Sequence, residues 1–389
     1  MNNIRIAFFQ LLQVAIGSRE KMSLALTDAE WDSLYATCKQ QAVLGLGYAG
    51  IMRLPQEQRP RADMLSMWQW VAEKISAKNA DVNRKCVRVT RRLQKDGFGV
   101  CVLKGQANLM YYPEHLRSYR NSGDIDVWLW HQDEKVKDPV SNIIKYSDGE
   151  REGCEVLYHH VEMEPIAKTE VEAHFRLGWL SSPFRNRKLD KWTYLHRESV
   201  VASLESKSDG TSEVNSFPVA PIGFNVVYQL LHIYRHLYEA GVGIRQLIDY
   251  YFVLREYLSA NEETQLHGLT SVPSRSSVME TLRELGLDSF AGAVMYVMRE
   301  ALDMPDAMLL CPVDEVRGRI LLDEIMTAGN FGCADGGAEI HNNGSHLQKF
   351  VHKLKRSWQL GRYYPHEALW LPAFTVWHMV WRRFRLWRY

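Results

Sequence analysis

Long apolar runs are scarce in this chain of 389 residues. Ile6 to Ser18 is uncharged, but it is only 13 residues long and carries Gln10 and Gln13, whereas a spanning helix needs ~20 predominantly apolar residues. Ser216 to Tyr234 is longer yet contains Pro218, Pro221, Asn225, Gln229 and His232. Neither reads as a transmembrane segment, and no small-residue cleavage site follows the first, so no leader is expected. An excess of either charge is missing too. The net charge of +1 gives no global attraction to polyanions and argues against long nucleic acid as the main ligand. The six cysteines (Cys38, Cys86, Cys101, Cys154, Cys311, Cys333) lack the C-x-x-C spacing of a zinc site and the density of a disulfide scaffold, which fits a reducing cytoplasm. Internal repeats and low-complexity tracts are absent. What remains, 46% apolar and 24% charged, is the composition of a soluble globular protein, and the length allows two or three domains.

The most informative stretch is Arg120-Asn-Ser-Gly-Asp124-Ile-Asp126-Val-Trp-Leu-Trp130. Its alternation predicts a β-strand with Asp124 and Asp126 on one face and Ile125, Val127 and Leu129 on the other. Two residues of strand advance roughly 6.6 Å, so the two acids can bracket a pair of hard cations in the manner of two-metal phosphoryl chemistry. Like charges so placed repel unless a cation lies between them. Glu170-Val-Glu172-Ala-His174-Phe repeats the pattern, which makes Glu172 the candidate third acid. His174 shares its face, where it either contacts a phosphate or the acceptor, or makes a structural hydrogen bond. Upstream, Phe98 to Leu103 reads as a buried strand followed directly by Lys104-Gly105. Glycine at a strand-to-helix turn permits close backbone approach, free N–H groups bind anions, and Lys104 adds charge.

Residues 1 to about 97 read as helical. Thr27 followed by Glu30 is a capping-box signature, and a helix is expected from about Met64 to Arg92, broken near Asn79, its arginine-rich end a solvated face. A polar loop with a short helix is expected over about 131–152, then paired strands over Cys154 to Met163 and Thr169 to Leu177. His159 and His160 read as exposed or satisfied strand residues rather than ligands, since magnesium prefers oxygen. Residues 204–216 form the clearest polar break and mark a domain boundary. Helical spacing follows from Asn225 to about Leu258. His232 and His236 have the i,i+4 spacing of a zinc protease without its glutamate. Arg245 and Asp249 have the spacing of a helical ion pair, while Gly241-Val-Gly243 suggests a turn presenting Arg245 to phosphate. Further helices are expected over Val278 to Met304 and Val313 to Met326, and Gly329 to Ser345 reads as a long loop. At the C-terminus, Phe374, Trp377, Trp381 and Phe384 alternate with Arg382, Arg383, Arg385 and Arg388. A membrane-surface helix carries this pattern, and so does a helix packed on a bundle with its basic side in water.

Taken together, Leu103-Lys104-Gly105, Arg120-x-x-Gly123-Asp124-Ile-Asp126, Val171-Glu172-Ala-His174, Leu231-His232-x-x-x-His236 and Gly241-Val-Gly243-Ile-Arg245-Gln-Leu-Ile-Asp249 resemble the largely uncharacterised bacterial nucleotidyltransferase family of the DNA polymerase β superfold. The resemblance runs from Trp31 to Trp370. It implies an α+β fold with a small mixed sheet flanked by helical segments from both ends of the chain; with the composition breaks this divides the chain into an N-terminal helical segment (1–80), a nucleotidyltransferase core (81–215) and a C-terminal helical domain (216–389). It also implies two Mg2+ ions, with Mn2+ as a substitute, held by Asp124, Asp126 and Glu172, and a nucleoside triphosphate lying over Gly105 and Gly123. Lys104, Arg120, His174 and Arg245 are its expected contacts. The acceptor could be a small molecule, a sugar, a peptide, a protein or an RNA end. One departure stands out: the superfold's glycine pair normally precedes the acids by about a dozen residues, whereas Lys104-Gly105-Gln106 ends 18 residues before Asp124. Phosphotransfer of the kinase type and a non-catalytic nucleotide-sensing module are the competing readings.

Overall fold

The computed structural model describes residues 3–386 apart from 134, 148–153, 155, 167, 206–216, 240, 268–271 and 331–345. The polar break expected over 204–216 and the Gly/Asn-rich loop lie largely outside the described residues. The fold is α+β, with four strands surrounded by helices. The strands are β1 (Phe98–Leu103), β2 (Ile125–His131), β3 (His160–Ile166) and β4 (Thr169–His174), in the spatial order β1-β2-β4-β3. β1 runs antiparallel to β2, β2 parallel to β4, and β3 antiparallel to β4, so the sheet is mixed. The β3–β4 hairpin is shorter than the alternation suggests. Its first strand starts at His160, and the turn closes at Lys168 in the left-handed region (φ 68°).

The sheet's two faces divide as period-2 patterning requires. Ile125, Val127, Leu129, Val171 and Ala173 join Val100 and Val102 in a buried cluster with Val82, Cys86, Val89 and Leu93 of the helix Ala62–Lys95. The opposite face carries Asp126, Trp128, Glu172 and His174. Trp128 stacks at 5.6 Å on Phe224, which in turn stacks at 4.8 Å on Trp192, joining the sheet to a larger helical core. That core draws on both ends of the chain, from Phe8 and Leu11 to Phe290 and Leu371.

The uncharged N-terminal run is the helix Asn3–Ile16, whose residues from Ala7 onward are all buried. Its apolar character is that of a core helix. The capping box forms as written: Glu30 N–H donates to Thr27 Oγ1, and the Thr27 N–H donates to Glu30 Oε2 at 2.9 Å. The helix Ala62–Lys95 runs unbroken through Asn79. The buried Asn79 side chain instead donates outward, to Ser118 O at 2.7 Å and Arg120 O at 2.5 Å. Lys78 Nζ reaches Ser122 O at 3.0 Å, so one helical turn holds the loop that delivers β2. In the C-terminal half, the spacing from Asn225 onward resolves into two helices, Ile222–Tyr238 and Ile244–His267, joined through Gly241 (φ 100°).

Candidate active site

The site is set by strand register. Asp126 of β2 lies directly opposite Glu172 of β4, and Trp128 opposite His174, which is itself opposite His160 of β3. Cross-strand partners share a face, so two acids and two histidines converge without any loop to hold them. His174 is wholly buried; its Nε2 lies 2.8 Å from Asp126 Oδ1 and 3.2 Å from Glu172 Oε2. Potential ligand atoms of Asp126, Glu172 and His174 fall within 4.8 Å of one another. Asp124 stands just before β2, solvent-exposed at the rim, and belongs to no such group among the described residues.

Lys104 is the second unusual feature. It follows β1 in the left-handed region (φ 49°), where a non-glycine residue costs roughly 1–2 kcal/mol. Strain of this kind is kept where surrounding contacts over-determine it, often at functional positions. Here the contact is an ion pair, Lys104 Nζ to Asp126 Oδ1 at 2.7 Å. The helical turn it opens, Lys104–Asn108, is only five residues long and kinks at Gly105 (φ 16°, ψ −100°). The sequence points to the free N–H groups of this turn as an anion site, and with Gly105 outside helical geometry the turn is not a regular helix start. A Cβ added at Gly105 would meet nothing nearer than Arg120 Nη1 at 3.8 Å, and one at Gly123 nothing within 4 Å. Gly123 therefore borders open space, and Gly105 lies in ordinary contact distance of the Arg120 guanidinium.

Arg120 is buried in a two-pronged pair with Asp249, Nε to Oδ1 at 2.7 Å and Nη2 to Oδ2 at 2.6 Å, and its Nη1 donates to Asn121 O at 3.0 Å. Tyr112 completes the knot by donating to Asp249 Oδ1 at 2.6 Å. Asp249 thus pairs with Arg120 across the fold rather than with Arg245 along its own helix. Arg245 donates to the same Asn121 carbonyl at 2.9 Å. Burial and then the nearby Arg120 push its guanidinium down to about 10, against Asp249 and Asp124.

The acids are already partly neutralised. Burial raises the Asp126 carboxyl, but Lys104 and His174 overcome it and hold the group well below the usual range. Burial and Lys104 depress His174, yet its bonds to Asp126 and Glu172 leave it raised. Burial pushes His160 down to about 4 despite Glu172. Near neutral pH His160 then carries no charge toward Glu172 at 3.3 Å, while the ammonium of Lys104 still acts on Glu172 and His174 Nε2 lies 3.2 Å from it. Asp124 is the exception. The desolvated cleft and then the like charges of Asp126 and Glu172 raise it to about 7. Because Asp124 itself opens to solvent, the like charges are the part that a bound cation would reverse.

Several residues at the site carry no single-motif signal. His160 is buried, and the half-buried His159 has its Nε2 3.1 Å from His160 Nδ1. With His174 they form a second group whose nitrogens lie within 4.8 Å, where the sequence suggested separate strand residues. Helix Ile222–Tyr238 walls the cleft. Its Tyr228 is fully buried, feels the charges of Lys104, Asp126 and Glu172, and has a hydroxyl without a hydrogen-bond partner among the described residues. One and two turns on, His232 and His236 face each other at 3.1 Å between Nε2 atoms. The 4-residue spacing Tyr228–His232–His236 is the signal that would have marked this wall.

No curated protein and no solved structure matches the chain. A family model described as an uncharacterised nucleotidyltransferase matches residues 27–303, which covers β1 to β4, the acids and the helix Ile222–Tyr238 that walls the cleft. The chain belongs to the uncharacterised nucleotidyltransferase family.

Proposed function

We propose that this protein is a Mg2+-dependent nucleotidyltransferase of the cytoplasm, moving a nucleoside monophosphate from a nucleoside triphosphate to an acceptor hydroxyl or similar group with release of pyrophosphate. The observation that carries this reading is the register of Asp126 against Glu172 on adjacent parallel strands. It supports a pair of carboxylates aimed into a cleft rather than acids scattered over a surface. Asp126, Glu172 and, at the rim, Asp124 would hold the divalent ions, and an all-carboxylate donor set suits Mn2+ as well as Mg2+. Bound there, the metal would neutralise phosphate charge and lower the pKa of the attacking hydroxyl.

The protein's own groups do the positioning. Lys104 neutralises Asp126 at 2.7 Å and is the cation best placed to move onto triphosphate oxygens, a charge-assisted contact. Gly105 and Gly123 leave room for phosphate beside the backbone. His174 orients both carboxylates through one nitrogen. Arg120 and Asp249 fix the loop before β2, and Arg245 adds positive charge beside Asn121 and Asp124. Such a site accelerates transfer by orientation and preorganised charge.

The test uses a triphosphate labelled separately at the α and γ phosphorus, offered with Mg2+ and fractionated small molecules, lipids, proteins and RNA. Transfer of the α label with release of pyrophosphate, abolished in Asp126→Asn, is expected. Transfer of the γ label would establish phosphotransfer instead. Tight binding without transfer of either label would leave a nucleotide-sensing module, a reading favoured by the internal neutralisation of Asp126 by Lys104.

A further inference from the structure

Charge and exposed apolar surface are unevenly distributed along the chain. Residues 346–389 contain nine Lys/Arg and a single acid, Glu367, a net of +8 in a chain whose total is +1, so the remaining residues carry −7. The one acid is buried: Glu367 accepts from Arg235 Nη1 at 2.8 Å and from the Ser181 N–H at 2.8 Å. The segment folds as two helices packed on each other, His346–Gly361 and Pro365–Leu386. One face of each is bolted to the protein. Arg356 pairs with Glu324 at 2.5 Å and donates to Leu237 O, while Phe374 stacks on Trp179 at 4.1 Å.

The other face is apolar and open. On the first helix Val351, Leu354 and Trp358 are exposed at helical spacing, Trp358 at 89%. On the second, Leu369 (75%), Val376, Val380 and Phe384 (64%) follow the same rule, beside the exposed Trp377 and Met379. Lys355, Arg362 and Arg383 are exposed among them. Monomeric proteins rarely leave so many large apolar side chains together in water without a partner.

We propose that this C-terminal helical hairpin docks the protein on an anionic lipid bilayer, lying in the interface with its apolar stripes among the acyl chains and its lysines and arginines at the headgroups. A large aromatic and aliphatic stripe rimmed by basic residues is the pattern of interfacial helices, and each Lys or Arg near an anionic surface adds to the attraction. Charge argues against a second copy of the chain as the occupant, because a two-fold contact would set the same basic surface against itself. No helix among the described residues is long and apolar enough to cross a membrane, so the association is peripheral. It does not depend on the chemistry proposed for the cleft.

Sedimentation of the full-length protein with phosphatidylcholine vesicles, with and without about 30 mol% phosphatidylglycerol to supply anionic headgroups, tests this. Binding to the anionic vesicles only, weakened by added salt, is expected. Trp358→Glu with Phe384→Glu, and separately Lys355→Glu with Arg362→Glu and Arg383→Glu, should each reduce the bound fraction about tenfold or more. All five positions are exposed, so both variants should melt with the wild type. Failure of the wild type to bind anionic vesicles would overturn the proposal, as would binding that neither variant reduces. A wild-type oligomer that Trp358→Glu converts to monomer would show that another copy covers the face.

Discussion

At the scale of single residues, Asp126 reverses an expectation that the sequence alone encourages. Two aspartates at i and i+2 read as bare repulsion, so replacing one with asparagine looks neutral or mildly stabilising without metal. The fold instead gives Asp126 the Lys104 ammonium at 2.7 Å and a bond with His174 Nε2 at 2.8 Å. Asp126→Asn leaves a buried ammonium without its counter-charge, and should lower stability at pH 7 by ~1–3 kcal/mol in urea unfolding. Because the folded-state carboxyl is held below its ordinary value of 3.8, this advantage of the wild type is present above that pH and fades as pH falls through the lower folded value. Asp124 has the opposite sign. Raised to about 7, it binds its proton more tightly folded than unfolded, so its contribution to stability is complete below about 4 and is lost as pH rises through 7. The same deprotonation readies it for a cation. Calorimetry should show Mg2+–triphosphate binding strengthening between pH 6 and 8 in the wild type, and a flatter profile in Asp124→Asn. The shared face of Asp126, Glu172 and His174 was legible because period-2 alternation fixes a face; the rim position of Asp124, one residue before β2, was not, nor was the neutralisation of Asp126, since Lys104 comes from another strand's end and its left-handed backbone leaves no mark in composition.

At the scale of elements, the loop from Ser118 to Ser122 is the hinge between helical scaffold and acidic strand. Asn79 and Lys78 of the long helix hold its carbonyls. On its other side Gly45, in the helix Leu44–Arg53, lies so close that an added Cβ would fall 2.1 Å from Tyr119 O. Helix propensity alone favours Gly45→Ala by about 1 kcal/mol. The clash is with backbone, which has no rotamer to escape into, and overpacking costs typically ~1–3 kcal/mol. Gly45→Ala should therefore lose stability in urea unfolding. Since the displaced loop leads straight to Asp124, it should also weaken Mg2+–triphosphate binding, whereas Gly97→Ala, whose Cβ meets nothing within 4 Å but whose backbone sits at φ 90°, should cost stability through backbone strain yet leave binding unchanged. Here the sequence misleads in an instructive way. A mid-helix asparagine reads as a breaker because its side chain competes for backbone groups; at Asn79 those backbone groups belong to a different segment, so the helix survives and the contact becomes long-range.

At the scale of the whole molecule, the chain's two ends meet. Division at residues 80 and 215/216 follows composition, yet the helix Ala62–Lys95 passes through residue 80 without interruption, and Phe8 near the N-terminus shares a buried cluster with Phe290 and Leu371. Specific bonds reinforce the contact: Gln13 Nε2 donates to Ala301 O at 3.1 Å, and Gln41 Nε2 to Ile325 O at 2.7 Å. Such closure is invisible to a linear reading, because periodicity identifies a buried face without naming what buries it. The sheet is drawn into the same cluster through Cys101, Leu103 and Trp128. Phe8→Ala removes a fully buried ring from that cluster and should cost ~3–5 kcal/mol. If the end segments and the sheet are held as one unit, the loss appears as a single transition shifted to lower temperature. Far-ultraviolet dichroism, reporting helices throughout, and the melting increment given by Mg2+ and triphosphate, reporting the cleft, should move together. Phe290→Ala should shift the same transition from the other end of the chain. An N-terminal segment that melts early in Phe8→Ala, while the nucleotide-dependent transition stays where it is in the wild type, would show instead that the ends fold as separate domains and that the cleft draws its stability from residues 81 onward.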